Sequence, residues 1–342
     1  MTRSLLAGTV VVIAAGSLAA QSPPAQVPDS EMLAGIDLVL KQDYEGARAS
    51  FRSMAGRWPE HPMPYLLQAG VLQTVAMDYE ARIDRVPFDS LLALAEELSE
   101  RYCESYPEDA RGHFYLGSVR GYHSFADAAE GDWFGAASSA MSSVSEFESA
   151  LERDSSMEDA KLGIGTYYYW KSRQLAFLTW VPFVGDDRAE GIALIESTVE
   201  RGTLNRHAAM TSLISIFLDS GDYERAAKVS GRALADYPNN RLFLWGLATA
   251  HDRLGHTAEA IAAYRRLLAS IASDLRPNAY NELVCRVNLA RLEALAGEKH
   301  NARSTLAPVA TRSASSYAKH LRERAERKLM EARELAAALG SS

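Results

Sequence analysis

From Gln21 onward, apolar residues recur three and four positions apart in stretch after stretch, the spacing of one helix face. The pattern predicts helices over 31–55, 63–82, 88–106, 109–128, 132–153, 157–179, 187–201, 206–219, 222–236, 241–254, 257–272, 279–296, 299–311 and 317–339, with two helices inside the first span. No stretch alternates apolar and polar for the six or more residues of a half-buried strand, and Ala, Leu, Glu and Arg dominate throughout. The pattern predicts an all-α chain.

The helices repeat. Asp43-Tyr44-Glu45-x-Ala47 runs to Trp58-Pro59, and Asp222-Tyr223-Glu224-x-Ala226 runs to Tyr237-Pro238, with 15 positions from Tyr to Pro in both; Tyr106-Pro107 repeats the ending. Leu244, Leu247, Ala248, Gly255, Ala260, Tyr264 and Leu267 stand 34 positions after Met210, Leu213, Ile214, Gly221, Ala226, Ser230 and Ala233. Proline disfavours helical geometry in the residue before it, so Pro59, Pro107 and Pro238 stop the helices they follow. Ala226 and Ala260 allow close helix crossings, whereas Phe51 and Tyr264 are large enough to fill the wedge toward the next pair.

These offsets resemble the tetratricopeptide repeat, with small residues at crossings, Gly at the turn within a pair and Pro after the second helix. The resemblance spans nearly all of residues 30–311 and is strongest at 207–272; Ile214 and Ser230 depart from the family's small and aromatic residues. It implies a right-handed α-solenoid of antiparallel helix pairs, in which stacking of neighbours completes each pair's core. The polar surface of 317–339, with Arg322, Glu323, Glu326, Arg327 and Glu334, reads as a terminal cap.

One region departs. Gly163-Ile164-Gly165-Thr166-Tyr167-Tyr168-Tyr169-Trp170 runs on through Phe177, Trp180, Pro182 and Phe183, so the first helix overruns and a loop at about 176–188 replaces the tight turn. This is similar to a subgroup of exported bacterial tetratricopeptide proteins, and more faintly to mitochondrial outer-membrane relatives with Gly-Asp-Arg-x-x-Gly after an aromatic stretch. Here Gly185-Asp186-Asp187-Arg188-Ala189-Glu190-Gly191 is one residue longer.

Residues 1–22 carry one charge, Arg3, followed by a 16-residue apolar or small stretch from Leu5 to Ala20. This has the form of a secretory signal peptide and falls short of the roughly 20 residues of a membrane span. It predicts an exported protein, periplasmic or secreted, the alternative being an N-terminal anchor. Residues 23–30 read as a Pro-rich linker, 31–311 as the repeat domain and 312–342 as the capping segment. Export permits a disulfide, but Cys103 and Cys285 stand 182 positions apart, too far to meet in an elongated solenoid, and are expected as packed thiols.

The net charge of −8 over 342 residues disfavours a nucleic-acid groove. From Lys299 onward nine basic residues face four acidic ones, a net +5, which leaves −13 on the preceding 298. Peripheral membrane contact is therefore confined to the basic C-terminal helix, whose other reading is a solvated cap. No nucleophile elbow, phosphate loop or His-Glu-x-x-His pair occurs, Gly163-Ile164-Gly165 lacks the third glycine of a dinucleotide loop, and His251 and His256, five apart, point to different helix faces. No enzyme activity, cofactor or metal is expected.

The remaining chemistry is recognition. The repeat register of the resemblance turns Phe114, Tyr122, Tyr169, Trp170, Trp245 and Arg253 toward the concave wall, and aromatic residues and Arg most often carry binding energy. In the insertion, Trp180 and Phe183 read as covering the long helix's end, while Asp186-Asp187 ahead of Arg188 reads as a helix cap. The sequence thus predicts a scaffold that binds a peptide or protein of the cell envelope. The alternatives are an envelope assembly accessory that uses its ends and convex face, and a small-ligand binder at 163–191.

Overall fold

The computed structural model describes residues 26–175 and 185–340. Fifteen α-helices account for the described residues, with no strand among them: α1 (Asp29–Leu40), α2 (Tyr44–Arg57), α3 (Met63–Asp78), α4 (Arg85–Ser105), α5 (Ala110–Glu130), α6 (Trp133–Arg153), α7 (Lys161–Gln174), α8 (Arg188–Arg201), α9 (Arg206–Ser220), α10 (Tyr223–Asp236), α11 (Arg241–Leu254), α12 (Thr257–Ala272), α13 (Ala279–Leu295), α14 (Lys299–Ala310) and α15 (Arg322–Gly340). Successive helices pack as pairs, and the first helices of neighbouring pairs also touch. The chain is an all-α solenoid.

Local chemistry sets the boundaries. Asp43, Asp132 and Asp222 accept hydrogen bonds from Gly46, Gly135 and Arg225 backbone N–H groups, and Asn240 accepts from Leu242 and Phe243. The second helices α2, α4 and α10 end at Arg57, Ser105 and Asp236, two residues ahead of the three prolines. Ala226 and Ala260 are fully buried at crossings, and Phe51 and Tyr264 fill the interior between pairs. Gly165 and Gly191 oppose one another where α7 crosses α8: a Cβ on either would stand 2.5 or 2.6 Å from the other's carbonyl oxygen. Gly165 of the Gly163-Ile164-Gly165 sequence is thus a helix crossing.

Several boundaries differ from the sequence pattern: α3 ends at Asp78 where 82 is expected, α4 begins at Arg85 where 88 is expected, and α7 begins at Lys161 where 157 is expected. Helix α1 begins at Asp29, inside the stretch read as a linker, and Val27 is already buried against the first pair. Tyr317 lies between two short 3-10 turns, so the last helix begins at Arg322. Residues 1–22, Trp180 and Phe183 lie outside the described residues.

The expectation of an elongated solenoid with distant ends is not met. Hydrogen bonds span 195 to 203 positions: Tyr79 to Asp274, Tyr237 to Asp37, Asn240 to the Leu40 carbonyl, and Asn278 and Asn281 to the Asp78 carbonyl. That is about six units of 34 residues. The turns within the first two pairs thus rest on the turns that precede α11 and α13, and the solenoid closes on itself. Cys103 and Cys285 are separate free thiols, the second fully buried.

At the centre of this closure Arg241 and Asp78, only 3% and 2% exposed, form a bidentate ion pair. Asp274 takes a second contact from Arg241 at 2.8 Å, and Tyr44 and Gln42 donate to Asp78 at 2.8 and 3.1 Å. Burial tends to lower the Arg241 pKa, but hydrogen bonding to Asp78 and the charges of Asp78 and Asp274 override it and raise the value. The turns that meet there are unusual. Gln42 and Glu80 occupy left-handed backbone conformations, φ 66° and 51°, where later turns use Gly131, Gly221, Gly255 and Gly297. The side chains those two positions retain are used: Gln42 joins Asp78, and Glu80 pairs with Arg324 of the last helix at 2.9 Å.

Candidate functional site

The closure leaves the first helices of the C-terminal pairs, α7, α9, α11 and α13, as a wall tied laterally by polar contacts. Thr166 meets Ser212 at 3.2 Å, Arg173 pairs with Asp219 at 2.8 Å, and Arg291 pairs with Asp252. The sequence reading passed over these ties because each depends on a partner more than 30 positions away.

Two of the six aromatic and Arg candidates for this wall are core residues. Phe114 is 7% exposed and packs against Phe147, and Tyr169 is 1% exposed. Tyr169 was misplaced because four successive aromatics cover every direction of a helix. Its hydroxyl donates to Asp219 at 2.9 Å, so the ring can be buried with its polar end satisfied. Burial, then Asp219, pushes that phenol up to about 12. Tyr122 is half-buried, edge-on to Phe88, with its hydroxyl over Gly70.

The other three are not fully buried. Trp170 and Trp245 are half-buried on the C-terminal core, edge-on to Tyr169 and Tyr264. Arg253 is exposed and, unlike Arg173 and Arg291, makes no ion pair among the described residues. Eight positions separate it from Trp245, about 12 Å along one face of α11.

Among the described residues, Asp187 and Arg188 do not converge on one another. Asp187 pairs with Lys171 at 2.6 Å, and Arg188 turns back onto Asp186 at 2.8 Å, so each charge is neutralised separately. Asp187 stands at the N-cap of α8, but its side chain makes no cap hydrogen bond; Asp186 instead accepts the Arg188 N–H at 3.1 Å. An open cleft of about 590 Å³ lies elsewhere, between the end of α12 and the start of α13, with Asp274, Arg276, Glu282 and Arg312 on its lining. Glu282 there is held by Arg286 and Arg312, each at 2.8 Å. Burial alone would raise its pKa, and these hydrogen bonds bring it below the usual carboxylate value.

Among the described residues, no group of three or more His, Cys, Asp or Glu is arranged to hold a metal ion, and no helix is long and apolar enough to cross a membrane. The basic last helix is partly neutralised from within the chain: Arg324 pairs with Glu80, Arg327 with Glu323 and Lys328 with Glu331.

Residues 211–278 match the family model for the tetratricopeptide repeat, in the stretch where the 34-residue period is most regular. That stretch is of tetratricopeptide-repeat type. No curated protein matches it. Among solved structures it is similar to PilW, described as a widely conserved type IV pilus biogenesis factor, at 14% identity and a TM-score of 0.46, over 75% of this chain and 97% of that one. It is also similar to the C-terminal part of a tetratricopeptide-repeat protein from Cytophaga hutchinsonii, at 16% identity and a TM-score of 0.42, over 80% and 92% of the two chains. A tetratricopeptide protein from Parabacteroides merdae matches at 14% identity and a TM-score of 0.38, over 88% and 98%.

Proposed function

We propose that the chain is a non-enzymatic protein-interaction scaffold of the cell envelope, exported by its N-terminal segment, and that a peptide or protein segment binds along the wall formed by α7, α9 and α11. The observation that carries this reading is the pairing, on one face of α11, of a half-exposed Trp245 with an exposed Arg253 that makes no ion pair among the described residues. An apolar side chain of the partner would pack on Trp245, and a partner carboxylate would meet Arg253. A photo-reactive amino acid in place of Thr249, between the two, should yield a discrete adduct in intact cells. Arg253→Glu should abolish that adduct while helical content is unchanged; an adduct indifferent to both Arg253→Glu and Trp245→Ala would refute the wall as the site. Fractionation tests the compartment separately, since a cytoplasmic protein would remove the envelope part of the reading alone.

A second reading, an assembly accessory that uses its convex side, draws on α6. Trp133, Phe134 and Met141 are 62%, 92% and 60% exposed along that helix, with acidic Glu130 and Asp132 beside them. This surface suits an apolar segment with cationic flanks. Phe134→Ser should then release the partner while Arg253→Glu retains it.

A further inference from the structure

The turns within the helix pairs bring specific side chains together. Where the chain leaves a helix through a left-handed residue, the next N–H bonds back to the carbonyl five positions earlier, and the side chains of those two residues are placed side by side. Asp132 N–H bonds to the Asp127 carbonyl around Gly131, His256 to His251 around Gly255, and Glu298 to Glu293 around Gly297. Each of these three turns pairs two residues of the same type.

A like pair needs something between its members. Glu293 and Glu298 receive a cation from elsewhere in the chain: Arg265 reaches both, at 2.8 and 2.7 Å. Asp127 receives Arg85, and Asp132 caps α6. Between His251 and His256 the Nδ1 atoms lie 3.4 Å apart, with their rings tilted and 5.6 Å between centroids. The sequence expectation that two histidines five apart face differently does not hold here, because Gly255, at φ 75°, reverses the chain between them.

That separation has chemical meaning. Two imidazole nitrogens bound to one tetrahedral zinc at ~2.05 Å stand ~3.3 Å apart. We infer that His251 and His256 form a two-histidine site for a divalent, imidazole-binding metal such as Zn²⁺, taking through both Nδ1 atoms the bridging place that Arg265 takes between the two glutamates. With two protein ligands, the other coordination positions belong to water. Glu259, on the first turn of α12, lies close enough to interact electrostatically with His251, and its carboxylate favours a cation there. Arg291 occupies neighbouring Asp252 and leaves the pair uncrowded by that carboxylate.

Isothermal titration of the untagged chain with Zn²⁺ tests the site directly. One equivalent should bind. His251→Ala and His256→Ala should each weaken that event at least ~10-fold, with circular dichroism unchanged because both rings lie near the surface. His207→Ala, which removes an imidazole paired with Asp236 at 3.2 Å, should leave it intact. Absence of binding, or equal binding by the His251→Ala/His256→Ala double variant, overturns the inference, as does an equal loss on His207→Ala.

Discussion

The α9–α12 repeats and the α4–α6 region are built from the same kind of helix pair and differ in one dimension. In α9–α12 the helices are 14 to 16 residues long, Gly221 and Gly255 close the pairs tightly, and each helix ends level with its neighbours. In α4, α5 and α6 each helix has 21 residues, while the following α7 and α8 have 14. Seven extra residues extend a helix by about 10 Å. The overhang shows at the starts of α4 and α6, where Val86, Trp133 and Phe134 are 78%, 62% and 92% exposed. Arg85 of α4 and Gly135 of α6 both lie against Asp127, so these starts share one edge. Helix length, at constant pairing, lets α6 present Trp133 and Phe134 beyond a core that still buries Phe88, Phe114 and Phe147.

The largest effects should fall where the two halves meet. Arg241→Ala strands Asp78 in the interior and should cost about 3–5 kcal/mol in denaturant unfolding, whereas a paired Arg241→Met/Asp78→Leu change should cost far less. Within the compared regions, Phe217→Ala, at a residue 1% exposed in α9, should cost about 3–5 kcal/mol. Phe134→Ala should stay within about 0.5 kcal/mol; an equal loss at both positions would show that the α6 overhang is covered.

In the N-terminal half, acid should act through one buried histidine. His61 is buried, accepts the Met63 N–H at 3.2 Å, and is pushed down to about 4 by burial and then by Arg111. Since the unfolded chain protonates this histidine near 6.5, it binds more protons than the folded chain between about pH 6.5 and 4, and stability must fall as pH falls through that window. The contribution lost below pH 4 is about 3 kcal/mol, and His61→Gln should flatten that part of the profile. The smallest effect should come from Asp187→Ala, which removes a half-exposed ion pair with Lys171 and should cost less than about 1 kcal/mol in thermal unfolding.

What the sequence made legible follows from range. Helix pairing depends on spacings of three, four and 34, and on Pro59, Pro107 and Pro238, all visible locally. The closure depends on residues about 200 positions apart: Asp78 reads as an ordinary acid at the end of an apolar helix, and Arg241 as one more basic residue in α11. One local sign was present, since Gln42 and Glu80 stand at turns where the later pairs carry Gly. For the candidate wall, the register proposes Trp170, Trp245 and Arg253, which keep some exposure, but Phe114 and Tyr169 required knowledge of their neighbours. A phenol that reaches Asp219 is as compatible with a core as with a groove.

The closure can be measured directly in a Cys103→Ser/Cys285→Ser background that carries Glu80→Cys and His320→Cys, positions where the His320 ring now meets the Glu80 carbonyl at 2.8 Å. A short bis-maleimide should join the two within one molecule, and adding Arg241→Ala should slow that reaction. If the monomer remains fully helical and no intramolecular link forms, the solenoid is open and the account of its wall is wrong.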